Sequence, residues 1–492
     1  MKKLLFILVF FFSFFQLNAQ SYRIYRSAVG ELVGFRTLWN QTDLFGYFEL
    51  HYIERKEDKT SLYKYVVLDR NMNEVSNGEF TVPHLIENEM FSICQYNNGK
   101  ILLSIDGNTY GTVLRRNEIF KIIDLKSGTV SDAISLINKE LKTGAEIKPA
   151  IGEYNFNKGI VSFNIKNNGF LLTEREMKGS KSFYKAGTMI DLEGKKMWSL
   201  PIIPGETDKH FYEYSYFSSD DNVIALLGQY YKRKTFISDH LALFNTKTGE
   251  KIALTSLSDE KYDYDYSFAK IIDGKIYIMG EYYKKMEGSL QKTEAYKLGI
   301  YRKIYDKNNG QLISDKKVAY LDLKKYVDID EAGKIKKEGT LYFNDFEVRP
   351  DGTNLVFGET YKVPNFFNGF YRFTELFSII LDDNFEIKEM KSYNVNETFE
   401  PKYSYGQSLK NNKGYVSVFI DKNENKKLFL NTLVYNDDTK EFKNDKIELE
   451  KTGSNISYFP AKNGYIGIIE YFKKTKEEKR VAELRLEKIN AE

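Results

Sequence analysis

The chain has 492 residues, 29% of them charged and 15% aromatic, with 72 basic against 69 acidic side chains and a single cysteine. Loss of Lys2 and Lys3 with a leader would leave charge near neutral, which argues against a nucleic-acid partner, since phosphate binding needs a clustered excess of Lys and Arg. Cys94 alone excludes an internal disulfide and Cys-rich zinc sites, so stability rests on packing of the 37 Tyr and 36 Phe.

In chain order, Met1, Lys2 and Lys3 precede the apolar run "LLFILVFFFSFFQL" and then "NAQ". That is the pattern of a signal peptide cleaved after Ala19, leaving Gln20 first. The run is shorter than the roughly 20 residues of a membrane anchor. No cysteine follows it to carry a lipid. The expectation is a leader over 1–19, a β-propeller domain over 20–492 and no transmembrane segment after cleavage. Export then places the mature chain in the periplasm or at the outer-membrane surface of a Gram-negative bacterium.

Next comes "SYRIYRSAV", a strand without a local partner, and from there two turn patterns alternate. The first is a tight turn entering an apolar strand, at Gly99, Gly159, Asn222, Gly274, Gly352, Gly414 and Gly464, with a weaker first copy near Asp43. The second is a strand closing on Asp or Asn before a hairpin, at Asp69, Asp124, Asp191, Asn245, Asp306, Asp382 and Asn436. Gly, Asn and Asp are required there because hairpin turns hold residues at positive φ. No helical stripe of useful length interrupts the series. Two hairpins every roughly 60 residues make a four-stranded propeller blade. The last copy lacks a fourth strand after "VAELRLEKI", so pairing Ser21 to Ala28 beside Val481 to Ile489 would close the ring and cover its open edge. The count is about eight blades; seven or nine follow if the weak first copy is misread.

The turns "NTKTGEKI" and "DLKSGTV" resemble the D-x-x-[TS]-G turn of quinoprotein-like and YVTN-like propeller repeats. The resemblance implies an all-β propeller. Quinoprotein dehydrogenases also carry a recurrent Trp docking motif and an active-site cysteine pair, whereas this chain has only Trp39, Trp198 and Cys94. It therefore implies the fold and not that chemistry, and no cofactor is expected.

Functional expectations fall on the face opposite the tight turns, where "EREMKGSKSFYKAG", "YYKRKTFISDH", "EYYKKMEGSLQKTEAYK", "ETYKVPNFFNGFYRFTE", "INKELKTGAEIKPA" and "LKKYVDIDEAGKIKKEG" read as long loops. Several second strands end in an aromatic followed by a base: Tyr231 with Lys232 and Arg233, Tyr283 with Lys284, Tyr361 with Lys362. Such copies either close blade edges while the amines snorkel to water or form a ring for an acidic partner. The segment "VPNFFNGFYRF" holds Phe366, Phe367, Phe370 and Tyr371 and is a candidate contact loop, or else a lid packed on its own ring.

Innermost strands place His210, Glu213, Asp263, Asp265 and Asp345 as polar candidates for the channel. His51, His84, His210 and His240 map near strand ends or loops, and no metal site is read from them. The stretches "DRNMNE" and "DKNENK" open like calcium loops but lack Gly at the sixth place and an acid at the twelfth. G-x-S-x-G, P-loop, H-E-x-x-H and Rossmann signatures are absent. The expected role is non-enzymatic binding or scaffolding toward an envelope protein or glycan. The alternative is a carbohydrate-active lyase or hydrolase using acid, His or Tyr groups at the channel mouth.

Overall fold

The computed structural model describes residues 23–27, 30–40, 43–57, 60–83, 88–108, 118–137, 140–144, 158–178, 181–200, 210–233, 235–285, 297–362, 371–409, 413–422, 427–449, 455–472 and 482–489. Its strands form eight antiparallel blades. Numbered along the chain, their inner strands are Glu31–Asn40, Asn88–Asn97, Lys158–Ile165, His210–Ser219, the interrupted pair Tyr262–Tyr264 and Phe268–Ile272, Gly339–Val348, Tyr403–Ser408 and Asn455–Pro460. Blades 3 and 4 are joined into one sheet through the single pair Tyr184 with Tyr214.

Ring closure follows the sequence expectation. Arg23–Arg26 pairs antiparallel with Ala482–Lys488, Arg23 opposite Leu486 and Arg26 opposite Glu483, and so supplies the outer strand of blade 8. Eight apolar clusters show why the ring is stable, because each fills one gap between successive blades. Leu38, Phe48 and Tyr65 of blade 1 meet Ile101 and Ile123 of blade 2, and Met279 and Ile300 of blade 5 meet Leu341 and Phe377 of blade 6. The last gap joins Phe459, Ile469 and Leu484 of blade 8 to Leu32, Leu44 and Tyr47 of blade 1. The remaining five gaps are filled alike. Both faces of most sheets are therefore buried, so the middle strands read as continuous apolar runs such as Val223–Lys232.

The Asp and Asn anchors behave as their chemistry demands. Asp69 Oδ1 accepts the backbone N–H of Asn71 and Asn73 at 2.7 and 2.8 Å, and Asn245 Oδ1 accepts those of Lys247 and Thr248 at 2.9 and 3.1 Å. Each side chain satisfies turn donors that the ladder leaves over. Gly249 closes its turn at φ +72 with its N–H donated to Asn245 O, and an added Cβ would meet the Trp198 ring at 2.7 Å.

Three expectations need correction. Gly159 does not stand in a tight turn; it lies inside the inner strand Lys158–Ile165, and the turn follows at 166–168, ending at Gly169. Gly169 has φ +140 and packs so tightly that a Cβ would meet Ile190 O at 2.0 Å. Secondly, "EREMKGSKSFYKAG" and "YYKRKTFISDH" are extended hairpins, Gly169–Lys178 with Lys181–Ile190 and Val223–Lys232 with Thr235–Asn245, rather than long loops. Thirdly, His51 and His240 sit within strands Asp43–Arg55 and Thr235–Asn245 rather than near strand ends or loops. The long connection after blade 5 is ordered: a 3-10 turn over Tyr320–Lys325 and the short strand Lys334–Ile335 carry Tyr320, Leu323, Ile329 and Ile335 into the gap before blade 6. Among the described residues no helix is long and apolar enough to cross a membrane.

Candidate functional site

The ends of the second strands carry a feature that sequence reading missed. Gln229, Glu281, Glu359 and Asp421 each stand seven residues after the turn residues Asn222, Gly274, Gly352 and Gly414, and Glu49 and Glu470 stand six after Asp43 and Gly464. All six are between 0 and 9% exposed. A buried acid must find donors, and Glu359, Glu281 and Asp421 find them where one blade hands over to the next. Glu359 accepts the backbone N–H groups of Lys402 and Tyr403 at 2.9 to 3.0 Å, at the entry to blade 7. Glu281 accepts the Tyr320 hydroxyl at 2.5 Å and lies 3.1 Å from Lys297 Nζ. Asp421 accepts Asn396 Nδ2 at 2.9 Å. Burial holds the Glu281 and Glu359 carboxyls above the usual range despite these partners. The spacing of six or seven from the turn residue to an acid or Gln was the available signal.

The Tyr two residues after Gln229, Glu281 and Glu359 is buried or half-buried. Tyr283 and Tyr361 are 5% and 6% exposed. Tyr231 is half-buried against Phe211 and Phe236, and burial, with Glu213 and Asp239 nearby, pushes its hydroxyl up to about 12. Lys232 and Lys284 reach solvent, and Arg233 occupies the hairpin turn at φ +50.

Among the polar channel candidates, the structure gathers only some. Glu213 is fully buried and heads a cross-strand row, Glu213 opposite Gln229 and Gln229 opposite Asp239, whose carboxylate accepts Gln229 Nε2 at 3.0 Å and the Tyr266 hydroxyl at 3.1 Å. His210 meets the Tyr230 hydroxyl at 2.8 Å, and His240 stands edge-on to Tyr212. Asp263 and Asp265 lie at the break in the inner strand of blade 5, and Asp265 is exposed. Asp345 points into the gap before blade 7, where it accepts the Tyr415 hydroxyl at 2.7 Å. Two residues on, Glu347 receives Lys270 Nζ from blade 5 at 3.4 Å and lies 3.6 Å from Arg349, which forks onto Asp437 of blade 7 at 3.1 and 2.6 Å. Burial raises both the Asp345 and Glu347 carboxyls, against the pull of Tyr415 on one and of Lys270 on the other. This run of Lys270, Glu347, Arg349 and Asp437 ties blades 5, 6 and 7 together. Among the described residues no three His, Cys, Asp or Glu side chains gather as metal ligands.

Phe366, Phe367 and Phe370 lie outside the described residues, as does His84. The segment's flanks are described, and they form an exposed aromatic rim on blade 6. Tyr371 is 51% exposed, Tyr342 42% and Phe399 63%. Tyr371 stands edge-on to Tyr361, and Tyr342 edge-on to Tyr361 and Phe373, so buried rings support exposed ones. Arg372 lies over Phe399 at 5.4 Å and reaches Glu397 at 3.0 Å, and Lys362 approaches the same carboxylate at 3.8 Å.

A model of a family of unknown function, DUF6770, matches residues 1–371 and 378–490. No curated protein matches the chain. Among solved structures it is similar to the WD40 domain of SCAP from fission yeast, at 8% identity and TM-score 0.39, covering 95% of this chain and 98% of that one. It is also similar to a quinohemoprotein alcohol dehydrogenase from Pseudomonas putida, at 11% identity and TM-score 0.42, with 97% and 78% covered. An oligogalacturonate lyase from Vibrio parahaemolyticus is similar at 11% identity and TM-score 0.34, with 93% and 98% covered.

Proposed function

Because the chain belongs to the family of unknown function DUF6770, its role has to be argued from its own surface, and we propose that it is an exported, non-enzymatic binding or scaffolding propeller of the bacterial envelope. It contacts a protein or glycan partner through the face carrying the blade 6 rim. The observation that carries this reading is the set of solvent-open rings on blade 6, Tyr342 and Tyr371 on either side of Tyr361 and Phe399 under the Arg372 guanidinium. Exposed rings of this density mark contact surfaces, because docking regains about 25 cal/mol for each Å² of apolar area removed from water. Aromatic and Arg side chains supply most of the affinity in such patches. Export is part of the proposal and rests on the leader read over 1–19, with cleavage after Ala19.

The test compares the mature chain with a Tyr371→Ser, Phe399→Ser double variant in pull-downs from envelope extract and on a glycan array. The expected result is an unchanged thermal midpoint with the captured partner lost. Retention of every partner by the variant, or a lowered midpoint, would sink the reading, since solvent-facing rings removed from a monomer should change stability by only about 0.5 kcal/mol.

A further inference from the structure

The opposite face of the propeller holds a second surface that the rim does not explain. Where the first tight turn of blade 1 meets its second hairpin turn and the end of the blade 2 inner strand, a cleft of about 440 Å³ opens, bordered by Asn40, Asp43, Phe45, Arg70, Asn71 and Tyr96. One wall is aromatic: the half-buried Phe45 is backed by the buried Tyr96, stacked on it at 4.1 Å with their planes 13° apart. Its walls mix acceptors and donors. Asp43 and Arg70 are both exposed. Asn71 Oδ1 accepts Lys462 Nζ at 3.0 Å, which leaves the amide NH₂ of Asn71 to act as a donor.

We propose that this cleft binds a small neutral saccharide, of mono- or disaccharide size. The charge pattern selects that class. A small anion suited to Arg70 would face the Asp43 carboxylate, and a cation suited to Asp43 would face Arg70. Hydroxyl groups donate and accept at once, so one sugar ring satisfies Asp43 as acceptor and Arg70 and Asn71 as donors. Phe45, held in place by Tyr96 behind it, gives the apolar face of the sugar a ring to cover, and pockets of this volume hold ligands of this size. Asp69 is not among the binding groups, because its carboxylate is committed to the backbone of its own turn and to Asn73.

The test is calorimetric titration of the mature chain, with saturation-transfer NMR, against glucose, galactose, mannose, N-acetylglucosamine, lactose and maltose, with glucuronate as the charged comparison. At least one neutral sugar should bind at millimolar or tighter affinity. Asp43→Ala and Arg70→Ala should each weaken it about tenfold, equivalent to about 1.4 kcal/mol, with the thermal midpoint unchanged. The Tyr371→Ser, Phe399→Ser variant should bind the sugar like the parent, which separates this site from the rim. No binding by any neutral sugar, binding that survives both cleft substitutions, or a preference for glucuronate would overturn the proposal.

Discussion

Two regions of the ring join their blades by different chemistry. Among blades 1 to 3 buried and half-buried amides carry ties: Asn97 Nδ2 donates to Ile165 O and Gly169 O at 2.8 Å each, Gln95 Nε2 to Ser162 O at 3.2 Å, and Asn164 Nδ2 to Tyr96 O and Trp39 O. Around blades 5 to 7 they are ionic, running from Lys270 through Glu347 and Arg349 to Asp437, with Asp345 and Tyr415 alongside. An amide tie is complete in itself and indifferent to pH. A charged tie depends on every member, since one ion removed leaves another buried and alone.

That contrast sets the expected order of effects. Arg349 is 3% exposed between Glu347 and Asp437, so Arg349→Ala should cost about 3–5 kcal/mol in urea denaturation, the penalty of buried carboxylates stripped of their cation. A loss under about 1 kcal/mol would mean that water replaces the guanidinium. Among the amide ties, Asn97→Ala removes the bonds to Ile165 O and Gly169 O and the one accepted from Asn167 N–H, for a smaller loss of about 1–3 kcal/mol that should be the same at pH 5 and pH 7.

The smallest expected effect is a pH slope confined to the ionic region and the buried acids beside it. Asp345, Glu347, Glu281 and Glu359 all hold their protons at higher pH than an unfolded chain would, chiefly through burial. The folded state therefore binds more protons between the usual carboxylate range and the raised values, and stability should rise as pH falls from 7 through that window. Below it the sign reverses. The Asp124 carboxyl is held at about 2, first by the hydrogen bond from Lys100 and then by turn N–H groups, so its contribution is lost as pH falls from about 4 toward 2. Glu347→Gln should flatten the upper limb of the thermal-midpoint profile and leave the acid limb in place. An unchanged upper limb would show that Glu347 titrates as it does in the unfolded chain.

Much of this architecture was legible because its causes are local. Asp69, Asp124, Asn245 and Asn436 announce hairpins since a short polar side chain bonds its own turn, whatever lies around it. The unpaired first strand and the missing last one announced closure for the equally simple reason that an open edge is costly. Gly159 was misread because "NKG" and "NNG" stand ten residues apart before similar apolar runs, and a turn signal cannot say which run is the inner strand and which the second. The hairpins misread as loops failed for a related reason: Lys, Arg and Ser in "YYKRKTFISDH" read as solvated, yet strands at a blade's rim expose alternate residues and still pair fully, Lys232 with Thr235 and Tyr230 with Ser238.

The functional surfaces divide along the same line. Composition and spacing alone settled the fold class, the position of most turns, the alternation of hairpins and the need for the two termini to meet, because each follows from backbone sterics and hydrogen bonding within a few residues. Which rings are buried and which are bare was decided only by assembly of the ring. Tyr361 and Tyr371 are ten residues apart in one aromatic-rich stretch, yet one is 6% and the other 51% exposed. The difference is made by Tyr342 and Phe373 stacking around Tyr361. Likewise the cleft between Asn40, Arg70 and Tyr96 exists only because turns of one blade meet the strand end of the next, a juxtaposition that depends on how the blades pack and leaves no local pattern along the chain.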